Sequence, residues 1–425
     1  MRRKMKKGEL IVTLDVGTTK TCVMVGEVNP GRLESDNSMI DLRDSVNIIG
    51  VGVAPSKGVK RGIVVNIEEA SGSIRKAIED AESMSGVSIK AGYAGIKGRH
   101  IEYIKSHGIV AVKGGEITDD DVDNAVESAK AIALPFDRRL LHVITKGFSI
   151  NGQNGIYDPR GMEGIRLEAD VQIITADAMS VHNLVKACEK AGIDVIGVVY
   201  EPISTSMALL SNEEKDIGVA LIDIGGGTTD IAMFHEGGIC HTSIIPVGGI
   251  NFTHDIAIGL RTLPKDAEGI KIRHGSVTTL PADDDNEIEV SYSDERPGRK
   301  IPKGHLIEII KPRAEELLYL VRDEMKKSGY IGMMASGVVL TGGGSLLRGI
   351  DFMAENILEL PVRIGSVNRR DDLLSQEFNT PQYASSIGLL FYGVTEITRE
   401  PEGKGWGILR GIITRLKRWN ELIRS

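Results

Sequence analysis

Aromatic residues are scarce, at 4% of 425 residues with two tryptophans, so recognition by aromatic cages is not expected. Cysteine is scarcer. Cys22, Cys188 and Cys240 are odd in number and far apart, which argues against a disulfide framework or a CxxC site and suits a reducing cytoplasm. The nine histidines show no HExxH or paired ligand spacing and read as structural or surface groups. No apolar run reaches the roughly 18 residues of a membrane-spanning helix. The basic stretch 1–7 lacks an apolar core and does not read as a secretory signal. Positive charge is also short: the formal net charge of -8 argues against nucleic acid as a partner. Neither GxxxxGK[ST] nor a GxGxxG after a strand occurs, so P-loop and dinucleotide-binding readings lose support.

Glycine, by contrast, is plentiful at 50 residues, and its placement carries the signal. A composition of 41% hydrophobic and 26% charged residues is globular, and the length calls for two to four subdomains. Strand and helix patterns alternate, which predicts an α/β architecture. Residues 9–28 read as a β-hairpin around GTTK, and residues 67–83 as a helix. A β-β-α-β stretch over 85–165, whose helix opens on Thr118 and Asp121 at capping-box spacing, reads as an inserted module. A helix over 178–191 stops at Gly192, and a strand then leads into Glu201-Pro202 and a helix to Leu210. Further on come a long helix over 305–325, a strand, the loop TGGGS with Ser345 as a candidate N-cap, and another helix.

Two loops are built alike. Asp15-Val16-Gly17-Thr18-Thr19-Lys20 follows one apolar strand and opens the next, and Asp223-Ile224-Gly225-Gly226-Gly227-Thr228-Thr229-Asp230 repeats the pattern. The design suits a nucleotide polyphosphate. Glycine lets backbone amides approach phosphate oxygens, threonine hydroxyls add donors, and Lys20 can neutralise charge. Asp15 and Asp223 could hold the waters of Mg²⁺, which favours oxygen ligands and keeps several waters. A third loop, Thr341-Gly342-Gly343-Gly344-Ser345, would allow close approach of a flat adenine or ribose.

The order DxGTT, DIGGGTTD, VVLTGGG resembles the phosphate-1, phosphate-2 and adenosine signature of the superfamily of actin, heat-shock chaperones and sugar kinases. Within it, HVITKGFSINGQNGIYDPRGMEG, DAEGIKIRHG, VVLTGGGSLLRGI and YASSIGLLFYG make residues 9–425 similar to the FtsA family of bacterial division proteins. The resemblance implies an actin-like ATPase fold with two lobes around a nucleotide cleft. The first-lobe core would comprise 1–84, 166–196 and 371–393, and an SHS2-like insert, subdomain 1C, would span 85–165. The second-lobe core would comprise 197–245 and 305–370, with a small subdomain at 246–304, a linker at 394–405 and a membrane helix at 406–425. ATP would lie between Asp15, Gly17, Thr18, Thr19 and Lys20 on one side and Asp223, Gly225, Gly226, Gly227 and Thr228 on the other. Glu268 and Lys271 would contact adenosine, above Gly342, Gly343 and Gly344. As residues alone, Glu268 and Lys271 equally suit an i, i+3 ion pair. Glu201 would orient attacking water; a helix-start acid favoured by the dipole is the other reading, and any ATPase activity would be weak.

The last residues add a different chemistry. Lys404, Arg410, Arg415, Lys417, Arg418 and Arg424 face one acid, Glu421. At helical spacing Trp406, Leu409, Ile412, Ile413, Leu416, Trp419 and Ile423 share one face, with Arg410 and Lys417 on the other, as in an interfacial membrane helix. The alternative is a helix docked on protein. The resemblance implies anionic lipids, the FtsZ C-terminal tail, other copies in a filament, and later division proteins through subdomain 1C as partners. Arg296, Arg299, Lys300 and Lys303 are the candidate FtsZ-tail contacts. The location implied is peripheral, on the cytoplasmic face of the inner membrane at the septum. A sugar or acid kinase would need a deep acceptor cleft, and a heat-shock chaperone a long substrate-binding extension.

Overall fold

A computed structural model describes residues 8–29, 45–131, 134–278, 287–290, 298–367 and 377–398. The basic arm 1–7, Arg296, most of the 394–405 linker and the whole segment 406–425 lie outside them.

Two five-stranded sheets share one strand order. In the first, Leu10–Val16, Lys20–Val28 and Val46–Pro55 form an antiparallel meander, and Ala91–Ile96 and Asp194–Tyr200 add in parallel beside Leu10–Val16. In the second, Val219–Ile224, Thr229–His235 and Gly238–Ile245 form the meander, with Val338–Thr341 and Val362–Ile364 in parallel beside Val219–Ile224. The echo between the two loops is therefore an echo between lobes: each loop is the first turn of its meander.

The helices read from periodicity form where their ends are capped. Ile67–Ser85 starts on Asn66, whose side chain accepts from the Glu69 amide, and stops at left-handed Gly86. Asp119–Lys130 has the Thr118–Asp121 capping box. Ala178–Ala191 ends at Gly192 with φ 97°. Lys303–Lys327 continues through Pro312, because its buried row from Leu306 through Ile310, Leu317 and Val321 is held by the second-lobe core. Ser345 caps no α-helix. Its hydroxyl donates to the Gly342 carbonyl inside a short 3-10 turn, and the next helix, Ile350–Leu358, begins after Gly349.

Strand pairing draws the insert differently from the reading at 85–165. Ala91–Ile96 belongs to the first-lobe sheet, whereas Arg166–Asp177 pairs with Ile101–Ala111 and Arg138–Ile150 in a separate four-stranded sheet closed by Gln153–Ile156. Alternation alone could not assign a strand to one of two sheets. The insert has its own core around Ile117, Phe148, Leu167 and Ile173. It also reaches the second lobe: the Tyr103 hydroxyl donates to the Ile239 carbonyl (3.3 Å), and Lys146 donates to the His235 carbonyl (3.2 Å).

Two helices lie at the centre. Glu201–Leu209 is buried along nearly all its length, and Ala384–Thr398 runs against it and against Leu10–Val16. A Cβ on Gly388 would lie 2.1 Å from the Ser204 carbonyl oxygen, so the two backbones touch. Gly388→Ala is expected to cost about 1–3 kcal/mol of stability by overpacking. Urea denaturation checks this, and an unshifted midpoint would contradict the close contact.

Candidate functional site

The two loops meet tip to tip. A Cβ on Gly226 would fall 2.5 Å from Thr19, and one on Gly227 would fall 2.9 Å from Thr18. Each turn is closed by a glycine amide: Gly17 donates to the Lys20 carbonyl (3.0 Å) and Gly225 to the Thr228 carbonyl (2.9 Å). The amides of Thr18, Thr19, Gly226 and Gly227 donate to no backbone carbonyl among the described residues. Two short runs of unengaged donors thus face each other across the lobes, the arrangement that binds anions.

Acidic groups line the base. Asp15 is 6% exposed, and one carboxylate oxygen accepts from the Ser386 hydroxyl (3.0 Å). Glu201 is 1% exposed at the start of the central helix, folded over Gly95. Asp223 ends the first strand of the second lobe, and Asp230, 2% exposed, accepts from the Thr228 hydroxyl (3.0 Å). Burial drives the Glu201 carboxyl above its usual range, opposed by Lys97. Burial likewise lifts Asp230 to about 6.

Lys97 joins these groups and was missed from sequence. Its ammonium lies 2.7 Å from Glu201 Oε2 and 3.2 Å from Asp223 Oδ2, so it ties the first lobe to the second. Burial works against its charge, but Asp223, Glu201, Asp15 and Asp230 outweigh burial and hold its pKa well above the usual value. The available signal was a lysine set directly after an apolar strand, in AGYAGIKG.

Lys20, expected on the phosphates, donates to the Gln382 carbonyl (2.5 Å) and lies 3.7 Å over the Tyr383 ring, and burial lowers its pKa. Glu268 and Lys271 form the i, i+3 ion pair at 2.7 Å. Lys271 also donates to the Gly249 carbonyl (3.0 Å) and the Thr253 hydroxyl (2.8 Å), while Gly249 donates to Gly225. The pair therefore sits at the start of the helix Gly249–Leu260, joined to the second loop.

The three glycines of the third loop differ. Gly342 has φ 81°, and its Cβ would lie 2.1 Å from Asp223 Oδ1. A Cβ on Gly344 would strike Ile224 at 2.2 Å, and one on Gly343 would meet nothing within 4 Å. In the basic patch, Arg299 donates to the Leu260 carbonyl at the end of Gly249–Leu260 and is tied into the fold. Lys300 is exposed and lies 3.3 Å from Glu287. Lys303 begins the long helix.

Known proteins supply the remaining comparison. The family model "Cell division protein FtsA" matches residues 220–388, and "SHS2 domain inserted in FTSA" matches 98–175, the stretch of the separate four-stranded sheet. The cell division protein FtsA of Pseudomonas aeruginosa is 38% identical, covering 98% of both chains. Among solved structures, a PilM–PilN type IV pilus biogenesis complex aligns with a TM-score of 0.63 at 16% identity, covering 90% of this chain and 98% of that one. MreB 5 of Spiroplasma citri bound to AMPPNP aligns at 0.54 and 15%, covering 92% and 98%. Two lobes of like strand order, an SHS2 insert and near-full-length identity of this degree lead to one conclusion: the chain has the actin-like fold and belongs to the FtsA family of cell division proteins.

Proposed function

We propose that this division protein binds ATP between its two lobes and polymerises. In this reading it holds the FtsZ ring at the cytoplasmic membrane through residues 406–425 and recruits later division proteins through the insert. The observation that carries the nucleotide reading is the pair of glycine turns facing each other with unengaged amides, each preceded by a strand-end aspartate. Binding of AMPPNP by the MreB 5 relative supports it. Gly343, open on one side, leaves room for the base, and Glu268 with Lys271 stands beside the second turn. Glu201 is the candidate for orienting water. Isothermal calorimetry with ATP tests the reading, and the absence of saturable heat at millimolar nucleotide would sink it.

Support for membrane attachment lies in the tail's sequence: two tryptophans and a row of aliphatic residues on one face, with a basic opposite face. A row of tails along a polymer would hold far more firmly than one, through effective concentration.

For the FtsZ tail, Lys300 is the residue to test. Arg299 would disturb the helix end it caps, so its loss mixes folding with binding. Lys300→Glu is expected to weaken binding of an FtsZ C-terminal peptide about threefold to tenfold, the scale of a single exposed contact. Fluorescence anisotropy reads this, and unchanged affinity would move the peptide elsewhere.

A further inference from the structure

Lys97 and Glu201 stand together because the sheet leaves them no choice. The parallel strands Ala91–Ile96 and Asp194–Tyr200 pair with Ile96 opposite Tyr200, so the next residue of each chain emerges at the same edge. That edge is the carboxyl end of the strands, where open α/β sheets bind ligands. Lys97 also meets Asp223 across the cleft. At the matching place in the second lobe, after its fourth strand, stands Gly342, which has no side chain.

Asp15 and Asp223 are the carboxylates expected to hold a hydrated Mg²⁺. As arranged, they do not fit that ion well. One Asp15 oxygen is engaged by the Ser386 hydroxyl, and one Asp223 oxygen by the Lys97 ammonium. A second cation beside Asp223 would be repelled by the first, in a buried setting where salt screens little. Next to Lys97 is a small cavity lined by Pro202, Thr205, Leu221, Asp223 and Asp230. Asp230 has a buried oxygen, Oδ1, with no hydrogen-bond partner.

We propose that Lys97 is the cleft's own cation: it supplies beside Glu201 and Asp223 the positive charge that a divalent metal would bring, so this chain binds nucleotide with little dependence on divalent metal. The inference rests on the nucleotide reading above. Lys97 is a positioning residue in this account, bridging the second-lobe aspartate to the phosphates and keeping Glu201 at the cleft base.

Two measurements test it, one without nucleotide. In the first, a fluorescent ATP analogue is titrated in Mg²⁺ and in EDTA, read by anisotropy. The wild-type affinity is expected to differ by less than about threefold between the two conditions, and that of Lys97→Ala by about tenfold or more, a common size for coupling between two ligands. Lys97→Arg, which keeps the charge, should behave as wild type. In the second, Mn²⁺ alone is titrated into the protein and followed by electron paramagnetic resonance. Lys97→Ala is expected to bind Mn²⁺ about tenfold more tightly than wild type, as Asp223 and Glu201 are released. If Lys97→Ala fails to fold, Lys97→Met, which keeps the apolar stem and removes only the charge, takes its place in both assays.

A wild type that loses nucleotide in EDTA by the same factor as Lys97→Ala overturns the proposal, and so does equal Mn²⁺ affinity in the two proteins. Absence of nucleotide binding under every condition would refute the ATP reading instead, and the Mn²⁺ comparison would still judge Lys97.

Discussion

A chain ending before Trp406 is expected to remain in the supernatant when anionic liposomes are pelleted, while the full chain pellets with them. The size of the effect follows from what is removed. Each basic side chain near an anionic leaflet contributes about 1 kcal/mol, and each large apolar side chain that enters the interface about 1.5–3 kcal/mol before ordering costs. The removed segment holds five basic residues and the apolar set from Trp406 to Ile423. Few surfaces elsewhere could replace it, since the chain carries a net charge of -8 even with the tail included. No helix among the described residues is long and apolar enough to cross a bilayer. Truncated protein that still pellets would place membrane contact elsewhere.

The second large effect is expected at Gly342. Gly342→Ala puts a methyl group 2.1 Å from Asp223 Oδ1 and 2.6 Å from the Ile224 carbonyl oxygen, at φ 81°. The Ile224 contact is to backbone, so no rotamer change relieves it, and the left-handed conformation adds strain of its own. A loss of about 3 kcal/mol or more in stability, with loss of nucleotide binding, is expected. Gly343→Ala, one residue on, meets nothing within 4 Å and should be close to neutral in stability. Thermal unfolding of the two variants side by side is the check. Equal melting temperatures would mean that the loop does not press on Asp223 as described.

This contrast also marks what a sequence can reveal. Gly342, Gly343 and Gly344 read as one permissive loop, because identity of residue type hides which neighbour each one meets. The two turns at Gly17 and Gly225 were legible because a strand, an aspartate, glycine and two threonines recur in one short window. Lys97 was not. Its partners Glu201 and Asp223 reach it only through the parallel register at Ile96 and Tyr200 and through the meeting of two lobes. The edges of the insert failed for a similar reason. Ala91–Ile96 and Arg166–Asp177 are both good strands, and only pairing decides which sheet owns each. Arg299 looked like part of a free basic patch until its contact with the Leu260 carbonyl, made from a distant element, gave it a structural task.

The helix Ala384–Thr398 carries a mechanical consequence. It is the described element from which the chain continues toward residues 406–425, and it belongs to the first lobe, laid against Leu10–Val16 and Glu201–Leu209. Its Ser386 holds Asp15, its Ser385 meets Thr205, and its Gly388 lies on the backbone of Ser204. Tension on an anchored tail would enter the body along this helix. It would be felt at Asp15 and at the start of the Glu201 helix, and through Lys97 it would pass to Asp223 of the second lobe. A membrane hold and the state of the cleft would then share one lever arm.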